Sequence, residues 1–105
     1  MYENIIQIRK WDKPEAPTEA ELLGFMLADG LDPYRWSNGA GDVYAAHEHP
    51  YFKVIYVVSG SITFGFPIDG EPMTLGPGDR LDLPAGIRHN AVVGPDGVIC
   101  LEAQR

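Results

Sequence analysis

Hydrophobic and polar positions along this chain change period once. The opening segment Ile5-Ile6-Gln7-Ile8 leans apolar and is followed by a stretch broken at Pro14 and Pro17, which predicts an edge strand and then a loop. Thr18-Glu19-Ala20-Glu21 has capping-box form, a hydroxyl answered by a glutamate three residues on. Leu22, Leu23, Phe25, Met26 and Leu27 follow it. Together they predict a short helix ending near Asp29-Gly30, with its apolar stripe packed on the rest of the molecule.

From Tyr34 onward the pattern becomes short apolar runs separated by turn residues, as in an antiparallel barrel or sandwich. The expected breaks are Ser37-Asn38-Gly39, His49-Pro50, Ser59-Gly60, Asp69-Gly70, Gly76-Pro77-Gly78 and Gly94-Pro95-Asp96-Gly97. Asp69-Gly70 lies between Ile62–Phe66 and Met73–Leu75, a hairpin signal. Pro50, which has no amide hydrogen, is expected to end a strand carrying His47 and His49. One structural domain follows: residues 1–33 supply a strand, loop and helix packed on a β-barrel of residues 34–105.

Charge narrows the function classes. The chain has 105 residues, 45% of them apolar, and a net charge of -7 from eight basic and fifteen acidic side chains. That balance argues against nucleic-acid binding, which draws its affinity from clustered Lys and Arg. No apolar run is long enough to span a bilayer, and MYENIIQIRKW lacks the basic-then-apolar order of a secretion signal; a cytoplasmic location is expected. Cys100, the one cysteine, sits in the apolar run Val98–Leu101 and reads as a small buried side chain.

The chain's three histidines fall in a single spaced pattern. His47 and His49 are two apart, which puts both on one face of a strand, and His89 follows later after Pro84-Ala85-Gly86-Ile87-Arg88. Neutral imidazole is the commonest protein ligand for first-row divalent metals. Three histidines each satisfied by backbone partners, with no metal, is the competing reading.

Gly41 to Gly60, GDVYAAHEHPYFKVIYVVSG, resembles the first cupin motif. Gly78 to Val93, GDRLDLPAGIRHNAVV, resembles the second, and seventeen residues, Ser61 to Pro77, separate them. The resemblance implies an all-β fold, a double-stranded β-helix (jelly-roll barrel), commonly dimeric, with a pocket at one end. It also implies a metal site at His47, His49 and His89. Two positions depart from the family pattern: the usual glutamate ligand, set off from His49 by three intervening residues, is Lys53, and the closing asparagine is Val93. A protonated lysine has donors and no acceptor, so it cannot ligate and repels a dication.

Three neutral ligands suit Zn, Ni, Fe, Mn or Cu in different degrees, and the metal's identity is not readable from them. As an enzyme, such a cupin would carry out Lewis-acid or dioxygenase-type chemistry, or isomerisation, on a small molecule. The alternative is a non-catalytic module in which Lys53 captures a small anion without a metal. Lys53, as a neutral amine, is one catalytic candidate; otherwise its ammonium pairs with Asp82 or Glu102, or snorkels outward along its stem. Tyr51, with its hydroxyl near the barrel mouth, is the other. Glu48 and Arg88 alternate outward from their histidine neighbours. A homodimer is expected from Ile5, Ile6 and Ile8, because exposed strand edges invite pairing.

Overall fold

The computed structural model describes residues 5–68 and 70–105; residues 1–4 of the opening segment and Asp69 of the expected hairpin turn lie outside this range. Among the described residues there are seven strands and one helix: β1 (Gln7–Arg9), α1 (Glu19–Ala28), β2 (Tyr34–Asn38), β3 (Val43–His47), β4 (Lys53–Phe66), β5 (Gly70–Leu75), β6 (Arg80–Leu83) and β7 (His89–Gln104). All pairings are antiparallel, so the all-β expectation with one short helix is met.

Two strands organise the molecule. The first half of β4 pairs with β6 and with the second half of β7, while the second half of β4 pairs with β5 and the first half of β7. The sheet therefore bends in the middle of β4 and β7, and its two halves close on one core. Ile55, Val57, Leu81 and Cys100 from one half meet Ile62, Phe64, Leu75 and Val93 from the other. The β-bulges that permit the bend lie at Val57/Ser59 and Gly60/Ile62.

Ser59-Gly60 and Gly94–Gly97 do not end strands as expected; both lie inside continuous ones. Gly60 and Gly97 each have φ of 76°, and a Cβ on Gly60 would lie 1.9 Å from the Gly97 carbonyl oxygen. The glycines are there because the backbone turns left-handed and the two strands approach closely.

Residues Val54 to Val57 are buried on both faces. Ile55 and Val57 face the barrel interior, whereas Val54 and Tyr56 join Leu22, Met26, Leu31, Leu101 and Ala103 beneath α1. Thr18 and Glu21 form the capping box at the helix start, and the Asp29 amide closes its end. Of the predicted apolar stripe only Leu22 and Met26 are buried; Leu23, Phe25 and Leu27 are exposed. The helix is apolar around most of its circumference and touches the sheet along a narrow line, so the pattern did not single out the contact face. Each buried Leu, Ile or Phe is worth about 1.5–3 kcal/mol, against about 0–1 for an exposed ion pair, so the two clusters hold the fold.

One charged group lies under α1. Arg80 donates from Nε to Asp82 at 2.7 Å and from Nη1 to Asp29 at 2.9 Å, and its guanidinium lies over the Tyr56 ring. These partners hold its pKa above the usual arginine value despite burial. The network ties the end of α1 to β6. Cys100 is fully buried, and burial pushes its thiol up to about 12, as expected of an inert core cysteine.

Candidate metal centre

His47 and His89 are register partners across β3 and β7. A bulge falls between Tyr44 and His47. Without it, strict alternation from the inward Tyr44 would turn His47 outward; the extra residue re-aims the imidazole into the barrel. β3 ends at His47, so His49 does not share the strand, contrary to expectation. It is held from the loop instead. The Gly86 amide of the second motif donates to the His49 carbonyl at 2.8 Å, and the Tyr51 ring stacks on the imidazole at 5.0 Å.

The rings converge, with centroids 4.4 Å apart for His47 and His89, 4.6 Å for His47 and His49, and 5.3 Å for His49 and His89. One ring nitrogen of each lies within 4.8 Å of the other two. Hydrogen bonding fixes which nitrogen keeps a lone pair. The Nδ1 of His47 lies 2.7 Å from the Ala45 carbonyl and that of His89 2.9 Å from the Ile87 carbonyl. A carbonyl only accepts, so each Nδ1 carries the hydrogen and each Nε2 keeps its lone pair. At His49, Nε2 faces the Lys53 ammonium at 3.5 Å, which only donates, and Nδ1 lies 3.2 Å from the Tyr51 hydroxyl. That ring too has its lone pair on Nε2. Such backbone and hydroxyl partners are the outer shell that orients metal-binding histidines, and the donor set fits a divalent ion.

Burial, then the Lys53 charge, hold the His49 pKa below its ordinary value; for His89 burial comes first, and the His47 and Lys53 charges add to it against a hydrogen bond to Ile87. Both shifts favour the neutral imidazole, the form that ligates.

Lys53 opens β4 and points into the same cavity. Its ammonium pairs with Glu102 Oε2 at 3.1 Å, the two side chains being 12% and 5% exposed. Glu102 also accepts from the Tyr34 hydroxyl at 2.7 Å and from the Trp36 indole at 3.1 Å. Of the two acids expected as partners, Asp82 is ruled out by register. It pairs with Val54 and so lies on the opposite face of the sheet from Lys53, where Arg80 takes it. Burial, followed by the hydrogen bond to Glu102 and the charge of that carboxylate, pushes the Tyr34 phenol well above its usual pKa.

The histidines open on a cavity of about 280 Å3 whose apolar wall includes Ile55, Ile62 and Phe64 and whose polar edge includes Tyr44 and Asn38. The Tyr44 hydroxyl donates to the Asn38 side-chain oxygen. Glu48 and Arg88 are exposed, as alternation predicted. The roles of Tyr34, Trp36, Tyr44 and Asn38 were not foreseen. Tyr34 and Trp36 are legible only once β2 is known to pair with β7, where Tyr34 faces Glu102.

Residues 35–99 match the family model described as Cupin domain, and the chain belongs to that family. Solved structures agree with this. A RmlC-like cupin from Shewanella frigidimarina NCIMB 400 is 28% identical with a TM-score of 0.61, over 70% of this chain and 64% of its own. The chain thus spans under two thirds of that relative's length. A structure of the DMSP lyases RdDddP and RnDddQII is 28% identical with a TM-score of 0.65, over 71% of this chain and 38% of its own. A DUF861 family protein from Thermotoga maritima is 16% identical with a TM-score of 0.63, over 96% of this chain and all of its own; that likeness shows the fold alone. No curated protein sequence matches the chain. Among the described residues no helix is long and apolar enough to cross a membrane.

Proposed function

We propose that this cupin holds a divalent metal ion through His47, His49 and His89 and binds or transforms a small molecule in the adjoining cavity. The observation that carries this reading is the convergence of the three imidazoles: one ring nitrogen of each lies within 4.8 Å of the other two, and with each Nδ1 engaged by a carbonyl or hydroxyl the free lone pair is on Nε2. A metal held by three neutral nitrogens would keep its full charge and supply Lewis-acid or dioxygenase-type chemistry. Around it, Ile55, Ile62 and Phe64 keep water from one side of the cavity, and Tyr51 fixes the His49 tautomer, a positioning role. The cavity lies below the range of drug-sized pockets, which suits a small molecule.

The test is elemental analysis of protein purified without added metal, followed by calorimetric titration with Zn, Ni, Mn, Fe(II) and Cu(II). About one ion per chain is expected, and none in the triple alanine variant of the histidines. A protein that takes up no ion, or takes it up equally without the histidines, removes the reading.

One observation favours a second reading. The Lys53 ammonium already sits on His49 Nε2, where it competes with a metal, so a metal-free pocket could use Lys53 to bind an anion. Anion binding that is unchanged by a chelator would support this reading over the first.

A further inference from the structure

We infer that the ligand of this cavity is a small organic acid, with Lys53 receiving its carboxylate beside the histidines and its short apolar remainder lying against Ile55, Ile62 and Phe64. This rests on the metal reading above and names the ligand class for that site.

The first argument is charge balance. Cupins that carry a glutamate at the position of Lys53 would offset one of a dication's two charges with a ligand of their own. Here the three histidines are neutral, and Lys53 and Glu102 cancel one another at 3.1 Å. Among the described residues no other charged side chain lines the cavity. A bound dication would stand uncompensated in a partly desolvated site, where lone charge is costly. An anionic ligand supplies what the chain lacks.

The second argument counts donors. An ammonium has three N–H groups and no acceptor. One goes to Glu102 Oε2 and one, long at 3.5 Å, to His49 Nε2; among the described residues the third has no partner. A metal on His49 Nε2 would free the second as well. Lys53 would then present two donors next to the metal position, fixed from behind by Glu102, which is itself held by Tyr34 and Trp36. Two donors on one rigidly anchored cation match a carboxylate better than a neutral carbonyl.

The third is the remaining wall. Ile55, Ile62 and Phe64 offer no hydrogen bond, and at the polar edge the Tyr44 hydroxyl is spent on Asn38 and the Asn38 amide on Asp42, so the hydroxyls of a sugar or polyol would lose water with little replacement. A three- to five-carbon acid meets both surfaces.

The experiment uses cobalt(II)-loaded protein and the probe butyrate, with butyramide as its uncharged isostere, read by the visible cobalt bands and by calorimetry. Butyrate should shift the bands and bind about tenfold or more tightly than butyramide. The double variant Lys53→Met/Glu102→Gln removes both charges without leaving either unpaired. It should hold cobalt and lose about tenfold in butyrate affinity, while Lys53→Arg retains butyrate binding. Equal affinity for butyrate and butyramide in the wild-type protein overturns the inference without relying on any variant. So does a cobalt-loaded double variant that binds butyrate as the wild type does. Failure of the wild-type protein to bind cobalt is seen before any acid is added, and it removes the metal reading and this inference with it.

Discussion

His47 and His89 face one another as a register pair across β3 and β7, their rings 4.4 Å apart, and each directs its Nδ1 at a carbonyl two residues earlier in its own strand or loop. The same local device thus orients both rings, so the pair is preorganised by backbone alone. Replacing either by alanine should reduce metal affinity at least as much as losing an outer-shell partner does, about 10–100-fold, with the thermal midpoint of the metal-free protein little changed for His47. Calorimetry on the two variants checks this.

Protons should compete for the site only in acid. Burial first, with the Lys53 and His47 charges, holds the His49 and His89 pKa values below the ordinary 6.5, so both rings are mostly neutral at neutral pH and bind metal with little proton release. Metal affinity should be nearly flat from about pH 8 to 7 and fall in acid. A fall beginning near pH 7.5 would mean that the rings are charged in the metal-free protein.

Lys53 should weaken the metal site. Lys53→Glu alone places a carboxylate against the buried Glu102, so the metal-free variant should be less stable than the wild type and gain more in thermal midpoint on adding metal. In Lys53→Glu/Glu102→Gln that repulsion is absent and an anionic oxygen replaces a repelling ammonium. Zinc affinity should rise by about tenfold or more over the wild type. Unchanged affinity would show that the side chain at position 53 does not reach the ion.

The histidines were legible in the sequence because a ligand set is a matter of residue type and spacing, and both survive folding. How they converge was not. The bulge between Tyr44 and His47 leaves no residue-type mark, and the hold of Gly86 on His49 depends on a loop nearly forty positions away. The barrel was legible as strands and breaks, yet Gly60 and Gly97 carry the same glycine signal whether a chain turns back or merely bends. For Lys53 two acids were open, and choosing between them required the β4–β6 register, which sets Asp82 on the far face. Long-range pairing decides such questions, and a single sequence does not contain it.

Gly60→Ala should be among the most damaging substitutions outside the core. The new Cβ would meet the Gly97 carbonyl at 1.9 Å, and backbone cannot swing away as a side chain can; the positive φ adds strain. The cost should be about 2–4 kcal/mol in urea unfolding. By contrast Gly24→Ala, with nothing within 4 Å of its Cβ and a helical setting, should be neutral or stabilising.

A homodimer is expected through the edge of β1. This strand ends the sheet order and pairs only with β6 among the described residues, and Ile5 beside it is half exposed. An open edge flanked by apolar surface is completed most simply by the same edge of a second copy on a two-fold axis. Light scattering should give about twice the chain's 11.6 kDa; a monomer mass that holds as the sample is concentrated would refute it.

Acid stability should depend on Asp79. Its side chain, 7% exposed, accepts from the Trp11 amide at 2.8 Å, the Gly76 amide at 2.8 Å and Lys10 Nζ at 2.7 Å, so it pins the segment after β1 to the turn before β6. Burial alone would raise its pKa, but the Lys10 hydrogen bond and the two amides outweigh it and hold the group below 3.8. A depressed folded pKa means that the stabilisation is complete above the unfolded value and is lost as pH falls through the folded one. Lys10 is 64% exposed, so its charge is screened and the two amides carry most of the effect. Asp79→Asn keeps one oxygen acceptor in place of two. It should cost about 1–3 kcal/mol in urea unfolding at pH 7, change little in 0.5 M salt, and converge on the wild type as acid protonates the folded carboxylate. A difference that does not shrink as pH falls below the unfolded value, or that vanishes with salt at pH 7, would instead place the effect in packing or in the exposed ion pair.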